Sequence, residues 1–273
     1  MKQLLKGQWV LLTGASSGIG RQLCKLLIEK QGAKVFGVGR DETKMQTLQA
    51  ELGENAVNFR YALFDVSEKT AWEDLKEQLS KEGISPILLI NNAGAFPVFA
   101  KTLEIGSETV ERLLRINFLS SVYSAELLLP SMMEAHGKNA GFVNICSSSA
   151  LCSVVGTAAY CASKAAMRAY TESLSLELSG KAYVGIFYPG TTGTELFRND
   201  EQTKESALDK IAMPPEKMAK KLLKKIVARK RRAVVGWDAK AMNLMAKLFP
   251  VKGPQLICWV MKKSGSKVFK NVF

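Results

Sequence analysis

Residues that form histidine-based or metal sites are scarce in this 273-residue sequence. It contains one histidine, His136, and five cysteines without a C-x-x-C spacing. Catalytic triads that need a histidine base are therefore disfavoured, and we predict no metal site. The odd number of cysteines is typical of reduced thiols, which favours a cytoplasmic protein. His136 itself, between alanine and glycine, is interpreted as a solvated loop residue.

Long hydrophobic runs are absent too. The apolar run over residues 256–261 is far shorter than the roughly 18 to 20 residues that a spanning helix needs. The apolar stretch over residues 9–12 enters a glycine-rich turn, unlike a signal peptide. We therefore expect neither a transmembrane segment nor a signal peptide. With 47% hydrophobic and 23% charged residues and only eight prolines, the chain has the composition of a globular protein with a sizeable core.

The net charge of +13 is concentrated at one end of the chain. Residues 214–273 hold 16 Lys+Arg and two acidic residues, whereas the other 213 residues hold 22 basic and 23 acidic ones. Three interpretations of this tail are open: a solvated lysine-rich helix face followed by a packed extension, contact with an anionic membrane surface, and nucleic-acid binding. No nucleic-acid motif accompanies the charge, so we expect no nucleic-acid partner.

Within the tail, apolar and basic residues interleave over residues 242–261. This pattern suits a segment that lies on a surface, and Pro250 and Pro254 are expected to break it. We therefore predict that the protein is cytoplasmic, with peripheral membrane contact through the tail as an option.

Short apolar runs alternate with helical periodicity along the chain. Strands are predicted over residues 9–13, 34–39, 57–64, 87–90, 141–145 and 184–187, and helices over 19–30, 41–52, 69–81, 110–133, 158–178 and 215–229. This rhythm predicts an α/β fold of the Rossmann type, with a doubly wound parallel sheet of six or seven strands in three αβα layers.

A glycine-rich turn, TGASSGIG over residues 13–20, stands where the first predicted strand gives way to the first helix. Unpaired N–H groups and the helix dipole attract a pyrophosphate at such a position. Glycines there allow positive φ and let phosphates approach the backbone. The turn therefore predicts a dinucleotide site.

Tyr160 and Lys164 are one helical turn apart on the predicted helix over 158–178, so they face a common site. An ammonium near a phenol favours its ionised form and lowers its pKa from about 10, which would let Tyr160 exchange a proton with a substrate. Alone, this pair is better explained as a core tyrosine and a solvated lysine. Ser147 and the glycine-rich turn together favour a functional site, because both follow strands, at the sheet edge where α/β folds bind ligands.

These segments together resemble the short-chain dehydrogenase/reductase family over about residues 7–200. The T-G-x-x-x-G-x-G turn, the N-N-A-G segment over 91–94, the Y-x-x-x-K motif and the P-G turn at 189–190 follow in the family's order. The resemblance implies four catalytic residues: Asn117, Ser147, Tyr160 and Lys164. It implies cofactor contacts from Gly14, Ser16, Ser17, Gly18, Ile19, Gly20, Arg40, Asp65, Asn91, Ala93, Gly94, Tyr160, Lys164, Pro189, Gly190, Thr192 and Thr194.

The resemblance also implies a mechanism, in which a hydride passes between a nicotinamide cofactor and a carbonyl carbon. Ser147 hydrogen-bonds the carbonyl oxygen, and Tyr160 supplies or removes its proton. Lys164 lowers the pKa of Tyr160 and binds the nicotinamide ribose, while Asn117 supports Lys164 through a water.

Other roles follow from the same resemblance. Asp65 would bond the adenine, Asn91 would lie at the adenosine ribose, and Thr194 would contact the carboxamide. Homodimers or homotetramers would pack through the helices that bear Asn117 and Tyr160.

Charge at the end of the second predicted strand bears on the choice of cofactor. Gly39 stands where NAD enzymes of the family carry an acid, and the guanidinium of Arg40 suits a 2'-phosphate. We therefore predict that NADP(H) is preferred. NAD(H) stays open as the alternative, because Asp41 could weaken the phosphate preference even if it caps the next helix.

The regular rhythm lapses after residue 188. We predict a catalytic dinucleotide-binding domain over 1–213, with a substrate loop over 189–213, and a basic C-terminal helix and extension over 214–273 packed on the same domain. Apolar lid candidates (Leu196, Phe197, Ile211 and Met213) and the apolar residues of the tail indicate a lipophilic substrate. The leading classes are a hydroxysteroid and a long-chain 3-keto lipid, and small carbonyl compounds rank behind them.

The predicted function is therefore an NADP(H)-dependent oxidoreductase that interconverts a ketone and a secondary alcohol. The alternative is a non-catalytic protein on the same fold, either a nucleotide sensor or a membrane-associated binding module.

Overall fold

A computed structural model of the chain describes residues 4–197, 212–265, 269 and 272–273. Its strands form one parallel sheet in the order β3-β2-β1-β4-β5-β6-β7. They are β1 (Trp9–Thr13), β2 (Lys34–Gly39), β3 (Phe59–Leu63), β4 (Leu88–Asn91), β5 (Gly141–Ile145), β6 (Tyr183–Pro189) and β7 (Arg232–Val235). The prediction of a parallel sheet of six or seven strands is confirmed.

Nine α-helices belong to the described part of the chain. They are α1 (Gly18–Gln31), α2 (Glu42–Glu51), α3 (Lys69–Lys81), α4 (Ser107–Leu114), α5 (Ser120–His136), α6 (Ala158–Glu177), α7 (Pro215–Val227), α8 (Trp237–Leu248) and α9 (Lys252–Lys263). A π-helical segment, Arg115–Leu119, joins α4 to α5. Helices cover both faces of the sheet, which gives the predicted three layers.

Two apolar clusters hold the helices on the sheet. One joins strand residues to α1, α2 and α7, and the other joins them to α3, α5 and α6. Every residue of β5 and β6 is buried, because both faces of a parallel sheet are covered by helices. The strands therefore read as continuous apolar runs in the sequence.

Several boundaries differ from the sequence-based prediction, and so does the tail. The strand expected over residues 57–64 begins only at Phe59, because residues 53–58 form a 3-10 turn. The helix expected over 110–133 starts at Ser107 and continues to His136 through the π-helical segment. Pro254 does not break the tail, since it lies in the first turn of α9, where a proline removes no intrahelical hydrogen bond.

Strand β7 was not located by the sequence analysis. It has four residues, follows a run of basic residues and, among the strands that the structure describes, pairs with β6 alone. The tail beyond it forms α8 and α9, which pack against each other, and α8 also contacts β7. The division into residues 1–213 and 214–273 stays a prediction. Within the described residues, none of the helices combines the length and apolarity needed to cross a membrane.

Candidate active site

A cleft of about 400 Å³ opens at the carboxyl ends of the central strands. Most predicted residues line it: Gly14, Ser16, Ser17, Gly18, Ile19, Arg40, Ala93, Gly94, Ser147, Tyr160, Lys164, Pro189, Gly190, Thr192 and Thr194. Four predicted residues do not line it: Gly20, Asp65, Asn91 and Asn117. The lid candidate Leu196 also lines the cleft, as do Asp41, Lys44, Asn92, Cys146 and Glu195, which the sequence analysis did not assign to it.

The glycine-rich turn packs tightly at the start of α1. Gly14 has a φ of 66°, and a Cβ on Gly20 would lie 2.0 Å from the Gly14 carbonyl oxygen. Ser17 precedes the helix without a side-chain cap, and the first turn of α1 has no acidic residue. Backbone N–H groups are thus left for an anion, in the field of the helix dipole. This cradle fits the pyrophosphate of a dinucleotide.

Asn92 and Thr13 fasten this turn to the end of β4. The Asn92 side-chain amide donates to the carbonyl oxygens of Thr13 and Gly14, at 3.1 and 3.3 Å. The Thr13 hydroxyl accepts from the backbone N–H of Asn92 and of Ala93, each at 3.0 Å. The segment over residues 91–94 therefore acts on the cradle through Asn92.

Asn91 points away from the cleft into a buried polar network. Its amide nitrogen donates to Asn144 at 3.0 Å, and its oxygen accepts from Ser124 at 3.1 Å. Asn144 in turn bonds Ser121 and Thr171. The network ties β4 and β5 to α5 and α6, so the side chain of Asn91 has a structural role here.

Ser147, Tyr160 and Lys164 lie together at the inner end of the cleft. These three residues are only 9%, 4% and 3% exposed, respectively. The Ser147 side chain lies beside that of Tyr160 and acts to lower its pKa, and the Lys164 ammonium lies 5.9 Å from the centroid of the Tyr160 ring. The structure thus brings the predicted acid/base pair and the predicted serine to one place.

Burial is the main influence on the pKa values of the side chains at this end of the cleft. It raises the pKa of Tyr160, against which the Ser147 side chain acts, and it lowers the pKa of Lys164. The pKa of Tyr160 is thus shifted upward by desolvation, opposite to the lowering by Lys164 that the sequence analysis expects. Beside them, burial raises the pKa of the Cys146 thiol to about 11. The phenol is therefore held in its protonated form.

Asn117 lies behind the cleft in the π-helical segment. Its oxygen accepts from Ala95 N–H at 2.8 Å, and its nitrogen donates to the Ala95 carbonyl at 2.9 Å and to Ser163 at 3.0 Å. A Cβ on Gly94 would lie 3.1 Å from Asn117 Oδ1 and 3.4 Å from Lys164 Nζ. Asn117 thus fixes the segment after β4 on which Lys164 rests.

Arg40 lies at the outer end of the cleft, with a side chain that is 69% exposed. It donates to Asp65 at 3.1 Å. Burial acts to raise the pKa of Asp65, but hydrogen bonds from Ser67 and Arg40 lower it overall. Asp41 accepts from the backbone N–H of Lys44 at 3.0 Å, which confirms that it caps α2.

The turn after β6 is held by a residue that the sequence analysis missed. The Asp238 carboxylate accepts from Thr191 N–H at 2.6 Å, and a Cβ on Gly190 would lie 2.2 Å from it. Thr192 pairs with Met213, so the two ends of the predicted substrate loop meet. Residues 198–211 of that loop, which include the lid candidate Ile211, lie outside the described residues.

An aromatic cluster flanks Tyr160. The Phe96 ring lies edge-on to Tyr160 at 5.2 Å and next to Phe99 at 4.9 Å. From the end of the chain, Phe269 packs on Phe99 at 5.0 Å, and Val272 joins the same cluster. The C-terminal tail thus covers apolar surface beside the predicted acid/base.

Comparison with known proteins adds to this geometry. Residues 8–205 match the model of the short chain dehydrogenase family. The chain belongs to this family. The short chain dehydrogenase match ends before α7, so it does not extend over the basic tail.

Named relatives and solved structures agree with the assignment. The chain is 29% identical over 244 residues to a 3-ketodihydrosphingosine reductase of Bos taurus, covering 86% of this chain and 73% of that protein. It is 31% identical to an NADP-dependent 3-hydroxy acid dehydrogenase of Escherichia coli, covering 76% and 84%. A serine dehydrogenase solved with NADP+ is 27% identical, covers 84% and 93%, and superposes with a TM-score of 0.72.

Proposed function

We propose that this oxidoreductase reduces a ketone on a long-chain lipid, with a 3-keto lipid as the substrate class. The observation that carries the proposal is the placement of Tyr160, which is buried beside the Ser147 hydroxyl and packed against the aromatic cluster. A polar proton donor set in an apolar wall suits a carbonyl group on a hydrophobic chain. The bovine relative, named for a 3-keto sphingoid base, supports the same class.

NADP(H) is the preferred cofactor, as for the Escherichia coli relative and the serine dehydrogenase complex. When bound, it supplies or accepts the hydride. The first-turn amides of α1 would hold its pyrophosphate, and Arg40 would bind the 2'-phosphate at the end of β2. Asp41 is occupied as the cap of α2, which leaves the Arg40 guanidinium as the recognition group.

The remaining chemistry falls to buried side chains of this chain. Ser147 and Tyr160 would donate hydrogen bonds to the substrate oxygen, where negative charge develops as the carbonyl is reduced. Tyr160 would then give up its proton. The phenol carries its proton at neutral pH, as proton donation in the reductive direction requires.

Lys164 and Asn117 would support this step. Lys164 lies against Gly94 and the Tyr160 ring, where its ammonium can hold a ribose hydroxyl and stabilise the phenolate left by proton transfer. Asn117 would position Lys164 through the backbone of residues 94–95.

The substrate class is tested by following NADPH absorbance with a panel of ketones. The panel contains a series of 3-keto lipids of increasing chain length, steroid ketones and small carbonyl compounds. We expect kcat/KM to rise with chain length, because each buried CH₂ contributes about 0.8 kcal/mol. A preference for steroid or small ketones would contradict the lipid assignment while leaving the oxidoreductase assignment intact.

The role of Tyr160 is tested by Tyr160→Phe. The variant keeps the ring in the aromatic cluster but removes the proton donor, so turnover should fall by at least about a hundredfold. NADPH binding, followed by fluorescence titration, should persist. Tyr170→Phe is the matched control, because it removes a phenol from the same helix, where the ring contacts Phe118. Equal activity of the two variants would refute the assignment.

A further inference from the structure

Exposed apolar side chains are unevenly distributed over the molecule. Among the residues that the structure describes, fourteen large hydrophobic side chains are exposed, and nine of them follow residue 236. The nine are Trp237, Leu244, Leu248, Phe249, Val251, Leu256, Trp259, Val260 and Phe273. Single exposed hydrophobic residues are ordinary on a protein surface, but a concentration of this kind marks an interaction site.

Helical periodicity places these side chains on outward faces. In α8, the exposed Trp237, Leu244 and Leu248 are spaced i, i+7 and i+11, which is one stripe of a helix, whereas Ala239 on another side is buried. In α9, which packs against α8, Leu256 and the pair Trp259 and Val260 form the same kind of stripe. Both helices thus expose to solvent an apolar face of the kind that an ordinary surface helix would bury.

The two helices form a compact hairpin. Gly253 at the start of α9 is buried, and a Cβ there would lie 2.5 Å from the Met245 carbonyl oxygen of α8. The connection between the helices exposes Phe249 and Val251, which are 50% and 68% exposed. The apolar stripes are therefore held in place together, and we call their outward side, over residues 237–263, the hairpin face.

Charge indicates what the hairpin face contacts. Its helices carry five lysines, Lys240, Lys247, Lys252, Lys262 and Lys263, and all are exposed. Their one acidic residue, Asp238, directs its carboxylate inward to Thr191 N–H. A second copy of the chain would bring like charges together, which opposes pairing of two such faces. An anionic surface with an apolar interior complements both the lysines and the stripes.

We propose that the hairpin face docks on anionic lipid bilayers, with the apolar stripes entering the interfacial layer and the lysines at the phosphate groups. No helix spans the bilayer in this arrangement, so the attachment is peripheral and reversible. Trp237 and Trp259, at the start of α8 and late in α9, lie where amphipathic rings favour a membrane interface.

The inner side of the same hairpin borders the candidate substrate site. Met261 of α9 packs on the cluster that contains Tyr160, and Cys258 accepts a hydrogen bond from Val155 N–H at 3.4 Å. The tail residues Phe269 and Val272 then complete that cluster. A lipid leaving the bilayer would therefore meet the apolar wall beside Tyr160. This last step, unlike docking itself, rests on the proposed function.

Docking is tested by sedimentation of the full-length protein with phosphatidylglycerol–phosphatidylcholine vesicles and with pure phosphatidylcholine vesicles. We expect recovery with the anionic vesicles only, and its loss in about 1 M salt, where the screening length falls to about 3 Å. Tryptophan emission should shift to shorter wavelength on binding, as Trp237 and Trp259 leave water.

A matched pair of variants makes the test specific. Leu248→Ser with Val260→Ser removes two side chains of the hairpin face, whereas Leu176→Ser with Val57→Ser removes the same two residue types from sites that are 76% and 81% exposed elsewhere. The first pair should lower the vesicle partition coefficient at least tenfold, and the second should leave it unchanged. Equal partitioning of the two, or a change of oligomeric state in the first pair without vesicle binding by the parent, would overturn the proposal.

Activity measurements separate this proposal from the proposed function. A short, water-soluble 3-keto compound should be reduced equally by the parent protein and the hairpin variant, which shows that the fold and chemistry are intact. With the long-chain substrate presented in anionic vesicles, only the hairpin variant should lose rate. Vesicle binding without reduction of any 3-keto lipid would reject the proposed substrate class and leave docking standing.

Discussion

At the scale of single residues, two adjacent side chains of the same type have different roles because of where each one points in the fold. Asn91 and Asn92 are adjacent amides, yet Asn91 joins the buried network around Asn144 and Asn92 fastens the glycine-rich turn. A motif in the sequence marks the segment but not the direction of each side chain. Successive residues of an extended segment point to opposite sides, so neighbouring residues have different partners.

Arg40 is the residue on which we expect NADP(H) selectivity to depend. Its guanidinium is exposed at the rim of the cleft, where it pairs with Asp65. A charge-assisted hydrogen bond contributes about 1.5 to 3 kcal/mol. Arg40→Ala should therefore lower kcat/KM for NADPH by roughly tenfold to a hundredfold, with little change for NADH, in steady-state assays with one ketone.

Arg60→Ala is the control for that comparison. Arg60 is also exposed and also paired with a carboxylate, that of Glu82, but it does not line the cleft. It should leave the ratio of NADPH to NADH efficiencies unchanged. If Arg40→Ala also leaves that ratio unchanged, the 2'-phosphate is bound by other groups.

At the scale of elements, most of the architecture could be predicted because its signals are local. Strands buried on both faces give continuous apolar runs, and α3 shows its periodicity so clearly that its predicted bounds, 69–81, match the structure. Strand β7 gave no such signal. It is short, partly exposed and preceded by basic residues, and its place in the sheet depends on pairing with β6.

The clamp around Asp238 could not be predicted for a related reason. The contact joins the turn after β6 to the first turn of α8, and the two are brought together by the pairing of β6 with β7. No spacing in the sequence links Gly190 to a carboxylate 48 positions later. The signal that was available, an acidic residue in the first turn after Gly236, indicates only a helix start.

Asp238→Ala tests how far the C-terminal elements support the cofactor cleft. It leaves Thr191 N–H without its acceptor beside Pro189 and Gly190, which line the cleft. Loss of such a partner costs about 1 to 3 kcal/mol. We expect a lower midpoint of thermal unfolding and a rise in the Kd for NADPH. Asp74→Asn, an exposed position on α3, is the control and should change neither.

A lower thermal midpoint with an unchanged Kd for NADPH would limit Asp238 to a structural role in the tail. The opposite outcome, weaker NADPH binding at unchanged stability, would place its whole effect at the turn. Either result measures the connection between α8 and the cleft directly.

At the scale of the whole molecule, burial of neutral acids sets the response to pH. Desolvation raises the pKa of five groups far above their ordinary values: Cys24, Cys146, Tyr160, Tyr183 and Tyr188. In the unfolded chain these groups lose their protons near pH 8.5 to 10. The folded protein keeps these protons up to a higher pH. Above that range, the native state therefore binds more protons than the unfolded state.

The free energy of unfolding should therefore be constant through neutral pH and fall as the pH rises above about 9, by about 1.4 kcal/mol per unit of pKa difference for each group. Denaturant unfolding at a series of pH values measures it. Tyr183→Phe should flatten the alkaline slope, because Tyr183 is a buried phenol whose hydroxyl donates to the Lys230 carbonyl at 2.9 Å. Tyr123→Phe, at a partly exposed position of α5, is the comparison. An alkaline slope that is identical in both variants would show that buried phenols do not control this loss of stability.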